Sequence, residues 1–442
     1  MNTPANRIVE NASQPVTDTV AKMADTLTIR GATSKTNWAL LLLIFIMPLR
    51  NIQLQYIPNL GGGLNIINLL FLLAFAHASM NGKPLKIKPS INGFLVFYIF
   101  SSILALFMGY QFLGDDSNGL WKTMKDQLIP IFLVFIIQKS AVDDTQWRRI
   151  LMATLVSLPY CFKVVWAQYR SVSSWHYSDD LRIAGTFMDL GANEMGAFSV
   201  TLALMCFALM ISCWNLKKWR YAFMVGFVLA ALCLLYSYSR GGYISLILGI
   251  TVIFLRFKNR KEMLLPLILA VVIGLANLPK SVEERFSSID AEEGERDESA
   301  DSRFVFWAIV LEKWTTRPAF GFGYHTVQNQ RINPHEMDTH NYFVKAIVER
   351  GVVGFVILLI LLRMCWNLTK RNLYWEANDP MHNGLILGLS GAIFALILGS
   401  MFGDRFSHYP ISTCFWTFVA LTSVIESRRL EKEQPAEFSS QS

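Results

Sequence analysis

Apolar runs of roughly 20 residues recur along this chain from Trp38 almost to its C-terminal end, separated by short polar connections. A helix rising 1.5 Å per residue needs about that many residues to cross some 30 Å of hydrocarbon. The pattern predicts about twelve spans, near 38–49, 64–80, 91–110, 120–137, 150–169, 193–211, 219–236, 242–256, 263–278, 351–366, 384–401 and 409–425. The expected fold is therefore an all-α integral membrane bundle of about twelve transmembrane helices. Its first and ninth spans are short or irregular. Pro48, Pro130, Pro159 and Pro266 fall in or near spans and should kink them.

Basic residues orient the bundle, because Lys and Arg in short connections stay on the cytoplasmic side during insertion. One set of connections carries Lys83, Lys86 and Lys88; Lys139, Arg148 and Arg149; Lys217, Lys218 and Arg220; Arg256, Lys258, Arg260 and Lys261; and Lys370 and Arg371. Arg428, Arg429 and Lys432 continue the series. The alternate set holds Gly61 to Gly63, Asp115 and Asp116, residues 170–192, Ser237 to Gly241, the long 279–350 connection and Gly403 to His408. Both termini are expected in the cytoplasm, with a polar, disordered tail over 1–36, a membrane domain over 37–426 and a second tail over 427–442. No apolar core of a cleavable signal peptide precedes Trp38.

The 279–350 connection is too long for a simple turn and is the expected functional loop, on the outer face. Its acidic stretch, Asp290 to Asp301, reads as a solvated segment, with cation binding as the alternative. From Ser302 to Trp314 the spacing of Phe304, Trp307, Ala308 and Leu311 predicts an amphipathic helix opened by Arg303.

Composition agrees with the hydropathy: of 442 residues 53% are hydrophobic and 17% charged, against about 25% charged in ordinary soluble domains. The formal charge of +7 is scattered between apolar runs, so it reports membrane topology and not nucleic-acid binding. Cys161, Cys206, Cys213, Cys233, Cys365 and Cys414 lie in or beside apolar segments, which argues against a disulfide framework. No Cys/His spacing of a metal site is present, and no metal or cofactor is expected.

Candidate chemistry gathers on the outer side. Arg240 stands between two apolar spans, where an arginine costs roughly 2.5–3.5 kcal/mol and calls for an anionic partner, unless it snorkels to the interface. Gly241 and Gly242 permit close approach of a ligand or helix, and the helix start adds N–H donors. His340 precedes a helix expected to run unbroken into the tenth span, with Gly351 and Gly354 allowing tight helix packing. A histidine there can serve as a general base near neutral pH. His325, His335 and His408 share its side. Trp175, Tyr177, Phe320, Phe322, Tyr324 and Tyr342 offer either stacking faces for sugars or an interfacial aromatic belt.

Ser-Arg-Gly-Gly at 239–242, Ser-Arg-x-x-x-Trp at 302–307, Pro-x-x-Gly-x-Gly at 318–323, and His-Asn at 340–341 followed after nine residues by Gly-Val-Val-Gly at 351–354 resemble, in order and topology, the bacterial O-antigen ligase family and its polymerase relatives. Arg-Ile-Ala-Gly-Thr-Phe at 182–187 and Asn193 extend the resemblance. It implies a metal-independent glycosyltransferase of lipopolysaccharide biosynthesis in the bacterial inner membrane. Such an enzyme moves polysaccharide from undecaprenyl diphosphate onto a sugar hydroxyl of lipid A-core at the periplasmic face. By motif match, Arg240 and Arg303 would hold the diphosphate and His340 would activate the acceptor. Asn341, Gly241, Gly242, Gly351 and Gly354 would shape the motifs. Arg182 and Arg405 are candidates to extend the anionic site, Asp404 to orient His340 or pair with an arginine, and Lys122 and Lys125 to meet substrate phosphates.

Two rival readings remain. A polymerase would use the same donor with a second carrier-linked glycan as acceptor. A transporter also commonly has about twelve spans, but one built from two six-span halves would show internal symmetry and often a long central cytoplasmic connection, whereas here the connection after the sixth span is short and the long loop follows the ninth on the outside. Intramembrane acidic residues that would couple ions are scarce, Glu194 being the clearest.

Overall fold

The computed structural model describes residues 35–55, 65–117, 119–171, 182–261 and 298–433. The described residues from Asn37 onward make one compact unit; of the separate unit 1–36, only Lys35 and Thr36 are described. The expected disordered tail up to residue 34, the connection at Gly61 to Gly63, Trp175 and Tyr177, the ninth span, the acidic stretch up to residue 297 and the tail beyond Glu433 lie outside the described residues.

Among the described residues the chain is helical, without strands. In chain order the helices are α1 (Trp38–Ile46), α2 (Arg50–Gln55), α3 (Ile66–Asn81), α4 (Asn92–Leu113), α5 (Leu120–Ser140), α6 (Asp144–Val156) and α7 (Leu158–Ser171). They continue with α8 (Ala192–Ser212), α9 (Lys217–Ser237), α10 (Arg240–Arg256), α11 (Glu298–Trp314), α12 (Tyr342–Asn372), α13 (Pro380–Ser400) and α14 (Tyr409–Glu433). A helix stands at each expected span that falls among the described residues. Among the described residues six stretches are long and apolar enough to cross a bilayer: α4, α6 with α7, α8, α9, α12 and α13. The protein is a helical membrane protein. The expected first span is broken after Ile46, around Pro48, into α1 and α2.

α8 and α13 form the centre, packed on one another, with α9 and α10 against α8 and α10 also against α13. α14 is buried from Pro410 through Ser427 and packs along α5. Two of its hydroxyls bond back to the preceding turn, Thr422 Oγ1 to Phe418 O at 2.8 Å and Ser423 Oγ to Ala420 O at 2.7 Å. Lipid-facing surfaces carry large apolar side chains, such as Phe97, Phe100 and Phe107 along one side of α4.

Two expectations about the long connection change. First, α11 starts at Glu298, so Arg303 lies within the helix and does not open it. The buried side is Phe306 and Val310, while Phe304 is 64% exposed. Eight consecutive residues, 304–311, are apolar, so period alone admits more than one stripe. The neighbour decides: Val310 joins Phe322, Val327, Ile332 and Val348 in a small core beneath the helix.

Second, α12 does not run unbroken. Gly351 has φ 63° and ψ −172°, a conformation that separates residues 342–350 from the rest of the helix. The Pro-x-x-Gly-x-Gly loop inserts at the break and replaces the lost helical bonds. Phe322 N–H donates to Val348 O (3.0 Å) and Gly323 N–H to Glu349 O (2.8 Å). In return Val352 N–H donates to Pro318 O (2.8 Å) and Val353 N–H to Ala319 O (3.1 Å). A Cβ on Gly351 would lie 2.3 Å from Ala319 O, and one on Gly321 would lie 2.5 Å from Val348 O. Gly351 serves a backbone-to-backbone junction with the Gly321 loop, not the helix–helix packing expected of it. Two carbonyls and two N–H groups at the break are thus supplied with backbone partners by the loop.

Candidate functional site

A cavity of about 420 Å³ opens where the residues before α8, the side of α11, the turn before α12 and the loop between α13 and α14 meet. Arg182, Glu194, Arg303, His340, Phe402 and Arg405 are among its walls. Three guanidinium groups from distant parts of the sequence therefore face one volume with one carboxylate. Arg182 Nη2 donates to Asn193 Oδ1 (2.5 Å), and Arg405 pairs with Glu194. Both Arg182 and Arg405 keep a buried Nε–H without an acceptor. His408 Nε2 lies 3.8 Å from Glu194, and burial lowers its imidazole pKa from the ordinary value. The net character is that of an anion receptor, since planar guanidiniums suit bidentate oxyanions.

His340 is held by backbone geometry. It adopts φ 48°, and the next residue, Asn341, caps α12 by accepting from Phe343 N (2.9 Å) and Val344 N (3.2 Å). On the other side, Trp307 Nε1 donates to Thr339 O at 2.7 Å, tying the turn to the helix that carries Arg303. His340 is exposed at the cavity, yet the surrounding protein desolvates it and lowers its pKa. Arg303 and Arg405 push the same way, against the opposing pull of Asp338 and Glu194. A neutral imidazole at neutral pH follows, with a nitrogen lone pair able to accept a proton.

Arg240 occupies the first turn of α10, behind the Ser239 cap, whose Oγ accepts from Gly242 N at 3.3 Å. It is not among the walls of the large cavity. Ser239, Gly241 and Gly242 instead line a narrow adjoining cleft that shares Asn193, Phe402 and Arg405 with the large one. The expected trio is thus distributed over two contiguous spaces, with Arg303 and His340 in one and the Arg240 turn in the other.

The motif-bearing part of this arrangement has a counterpart among known proteins: an O-antigen ligase family model matches residues 225–359. That segment is similar to the O-antigen ligase family. An uncharacterised protein of Haemophilus influenzae is 25% identical over 194 residues, a match that covers 38% of this chain and 49% of that protein. The chain spans about half the length of the curated relative it matches. The matched segment contains Arg240, Arg303, His340 and the Gly351 junction, whereas Arg182, Glu194 and Arg405 complete the cavity from outside it.

Other expected residues stand elsewhere. Lys122 is exposed and Lys125 sits 3.7 Å from Asp126; neither lines the cavity. Asp404, expected to orient His340 or pair with an arginine, is buried behind the wall and bonds Lys345 Nζ at 2.7 Å. Burial pushes its carboxyl up, but Lys345 and His408 outweigh that and leave it below the ordinary value. Phe322, Tyr324 and Tyr342 are core residues, each no more than 3% exposed, so they are not stacking faces or belt residues; Phe320 remains accessible. His335 packs against Phe306, with ring centroids 5.1 Å apart, and burial lowers the pKa of His325. Among the described residues, no group of three or more His, Cys, Asp or Glu side chains is placed to hold a metal ion.

Sequence reasoning missed the polar interior of α12. Lys345, Glu349 and Arg350 are all at least nine-tenths buried. Arg350 donates to Tyr324 Oη (2.6 Å) and to Gln127 Oε1, with its guanidinium 4.7 Å from the Tyr98 ring centroid. Their signal was available: Lys345 and Glu349 are four apart on an otherwise apolar helical run, and intramembrane charges pair inward. Intramembrane carboxylates are accordingly not confined to Glu194.

Proposed function

We propose that this protein is an O-antigen ligase that transfers a polysaccharide from undecaprenyl diphosphate to a sugar hydroxyl of lipid A-core at the periplasmic face of the inner membrane. The observation that carries the reading is the cavity in which Arg182, Arg303 and Arg405 surround the approach to His340. The acceptor oxygen attacks the anomeric carbon as the bond from that carbon to the diphosphate oxygen breaks. The hydroxyl proton passes to the neutral imidazole of His340, and the electron pair of the broken bond stays on the diphosphate. Charge developing on that leaving group is met by the guanidiniums, fixed before reaction in a site of low dielectric. Glu194 holds Arg405 in orientation. The adjoining cleft at Arg240 suits the remainder of the diphosphate or its lipid-proximal end. No metal is required, because the arginines supply the positive charge.

About twelve spans, cytoplasmic termini and an outer-facing 279–350 connection complete the proposal, supported by the distribution of Lys and Arg between alternate connections. Reconstitution with undecaprenyl diphosphate-linked glycan and lipid A-core tests it. A ligase yields capped lipopolysaccharide; a chain that only lengthens the carrier-linked glycan is a polymerase, and one that does neither overturns the enzyme reading.

A further inference from the structure

The cavity is built from segments that are remote in sequence and join through loops, so something must fix their separation. Two of its walls matter most for the transfer: the turn ending at His340 and the Phe402–Arg405 loop. No hydrogen bond between these loops involves their cavity-lining side chains, His340 or Arg405: Arg405 is turned to Glu194 on α8. Directly behind both walls, however, lies the ammonium of Lys345. Its Nζ bonds Asp404 Oδ2 at 2.7 Å, on the residue next to Arg405, and stands 3.9 Å from Asp338 Oδ1, two residues before His340. Lys345 and Asp404 are 8% and 6% exposed. A second polar link runs in parallel: Arg350 donates to Gln127, whose Nε2 donates to Ser407 Oγ at 3.0 Å.

We propose that Lys345 is a positioning residue of the transferase site, a buried clasp between Asp338 and Asp404 that sets the distance between His340 and Arg405. This rests on the glycan-transfer reading of the cavity. Bringing a base and a leaving-group cation to opposite sides of one anomeric centre requires their separation to hold within fractions of an ångström, and loops alone do not provide that. A lysine is suited to the task because its ammonium has three donors and can be shared between two carboxylates. Glu349, one turn further along α12, adds to the negative field in which the ammonium sits. The clasp also screens Asp338 from His340, whose other charged neighbours are Arg303, Arg405 and Glu194.

Removing Lys345 alone strands Asp404 in the interior, and K345M is therefore expected to unfold at lower temperature. K345M/D404N, which removes both charges, restores thermal stability and separates folding from positioning. Spin labels at Glu336→Cys and Met401→Cys, both exposed sites, report the wall-to-wall distance while the six native cysteines are buried. The expected result is a narrow distance distribution in the parent and a broadened one in K345M/D404N. In the reconstituted transfer assay the double variant should lose at least about 20-fold in kcat with donor KM within threefold. The acid limb of its pH profile should move upward, since the unscreened Asp338 carboxylate favours protonated His340. An unchanged distance distribution together with parental kcat and pH profile in the folded double variant overturns the clasp. A parent that makes no product while K345M/D404N shows the broadening overturns the transfer reading and leaves the clasp standing.

Discussion

His340 reaches the cavity on a left-handed backbone residue and stays neutral at pH 7 because desolvation and two arginines oppose its protonation. In the proposed transfer its working form is the unprotonated one. With the folded pKa below the ordinary 6.5, transfer should be on its plateau at neutral pH and fall as pH drops through that lowered pKa. A pH–kcat profile checks this, and an acid limb centred above 6.5 contradicts the assignment. Replacing His340 by Ala should cost roughly 10²–10⁴ in kcat, the usual worth of a positioned base, with donor binding preserved in a filter or fluorescence assay. Arg303→Lys keeps the charge but loses the planar fork. Charged hydrogen bonds contribute about 1.5–3 kcal/mol, so donor affinity should fall by roughly one to two orders of magnitude, more than for a lysine substitution at exposed Arg317.

At the level of elements, the decisive object is the junction between the Gly-x-Gly loop and broken α12. It carries the start of α12, and with it His340, at a fixed place over the bundle. Gly351→Ala would put a Cβ 2.3 Å from Ala319 O in a backbone conformation that disfavours side chains. Strained conformations of this kind cost roughly 1–3 kcal/mol before the steric clash is added. Detergent-solubilised Gly351→Ala should therefore melt several degrees below the parent and lose transfer, whereas Gly93→Ala, whose added Cβ meets nothing within 4 Å, should match the parent in both. Equal melting of the two variants would show that the junction does not constrain the fold. Hydropathy located the surrounding helices because a 20-residue apolar run has few alternatives in a bilayer. It missed the break because Gly351 within Gly-Val-Val-Gly looks like a helix-packing motif until the inserting loop is seen.

For the whole molecule, the testable quantities are sidedness and product. Maleimide reagents that do not cross membranes should label Glu336→Cys only from the periplasm and Lys86→Cys only from the cytoplasm in sealed vesicles of each orientation. The reverse pattern would place the cavity on the wrong side for a lipid A-core acceptor. In the reconstituted system, transfer should persist after chelation of divalent ions; activity lost with chelator and recovered with Mg²⁺ would show that the arginines are not sufficient for the leaving group.

Sequence by itself determined the helical membrane class, the positions of the described spans, and the motif residues Arg303 and His340 that the cavity unites. These are legible because apolar length, charge asymmetry and short motifs are local properties. Tertiary structure decided which cations share a volume: Arg182 and Arg405 join Arg303, while Arg240 is not among the cavity's walls, its neighbours Ser239, Gly241 and Gly242 line the adjoining cleft, and Lys122 and Lys125 stand away. It also decided which face of α11 is buried and that Asp404 answers to Lys345. Such choices depend on partners up to hundreds of residues away, and a charge in the membrane interior advertises only that it has a partner, not which one.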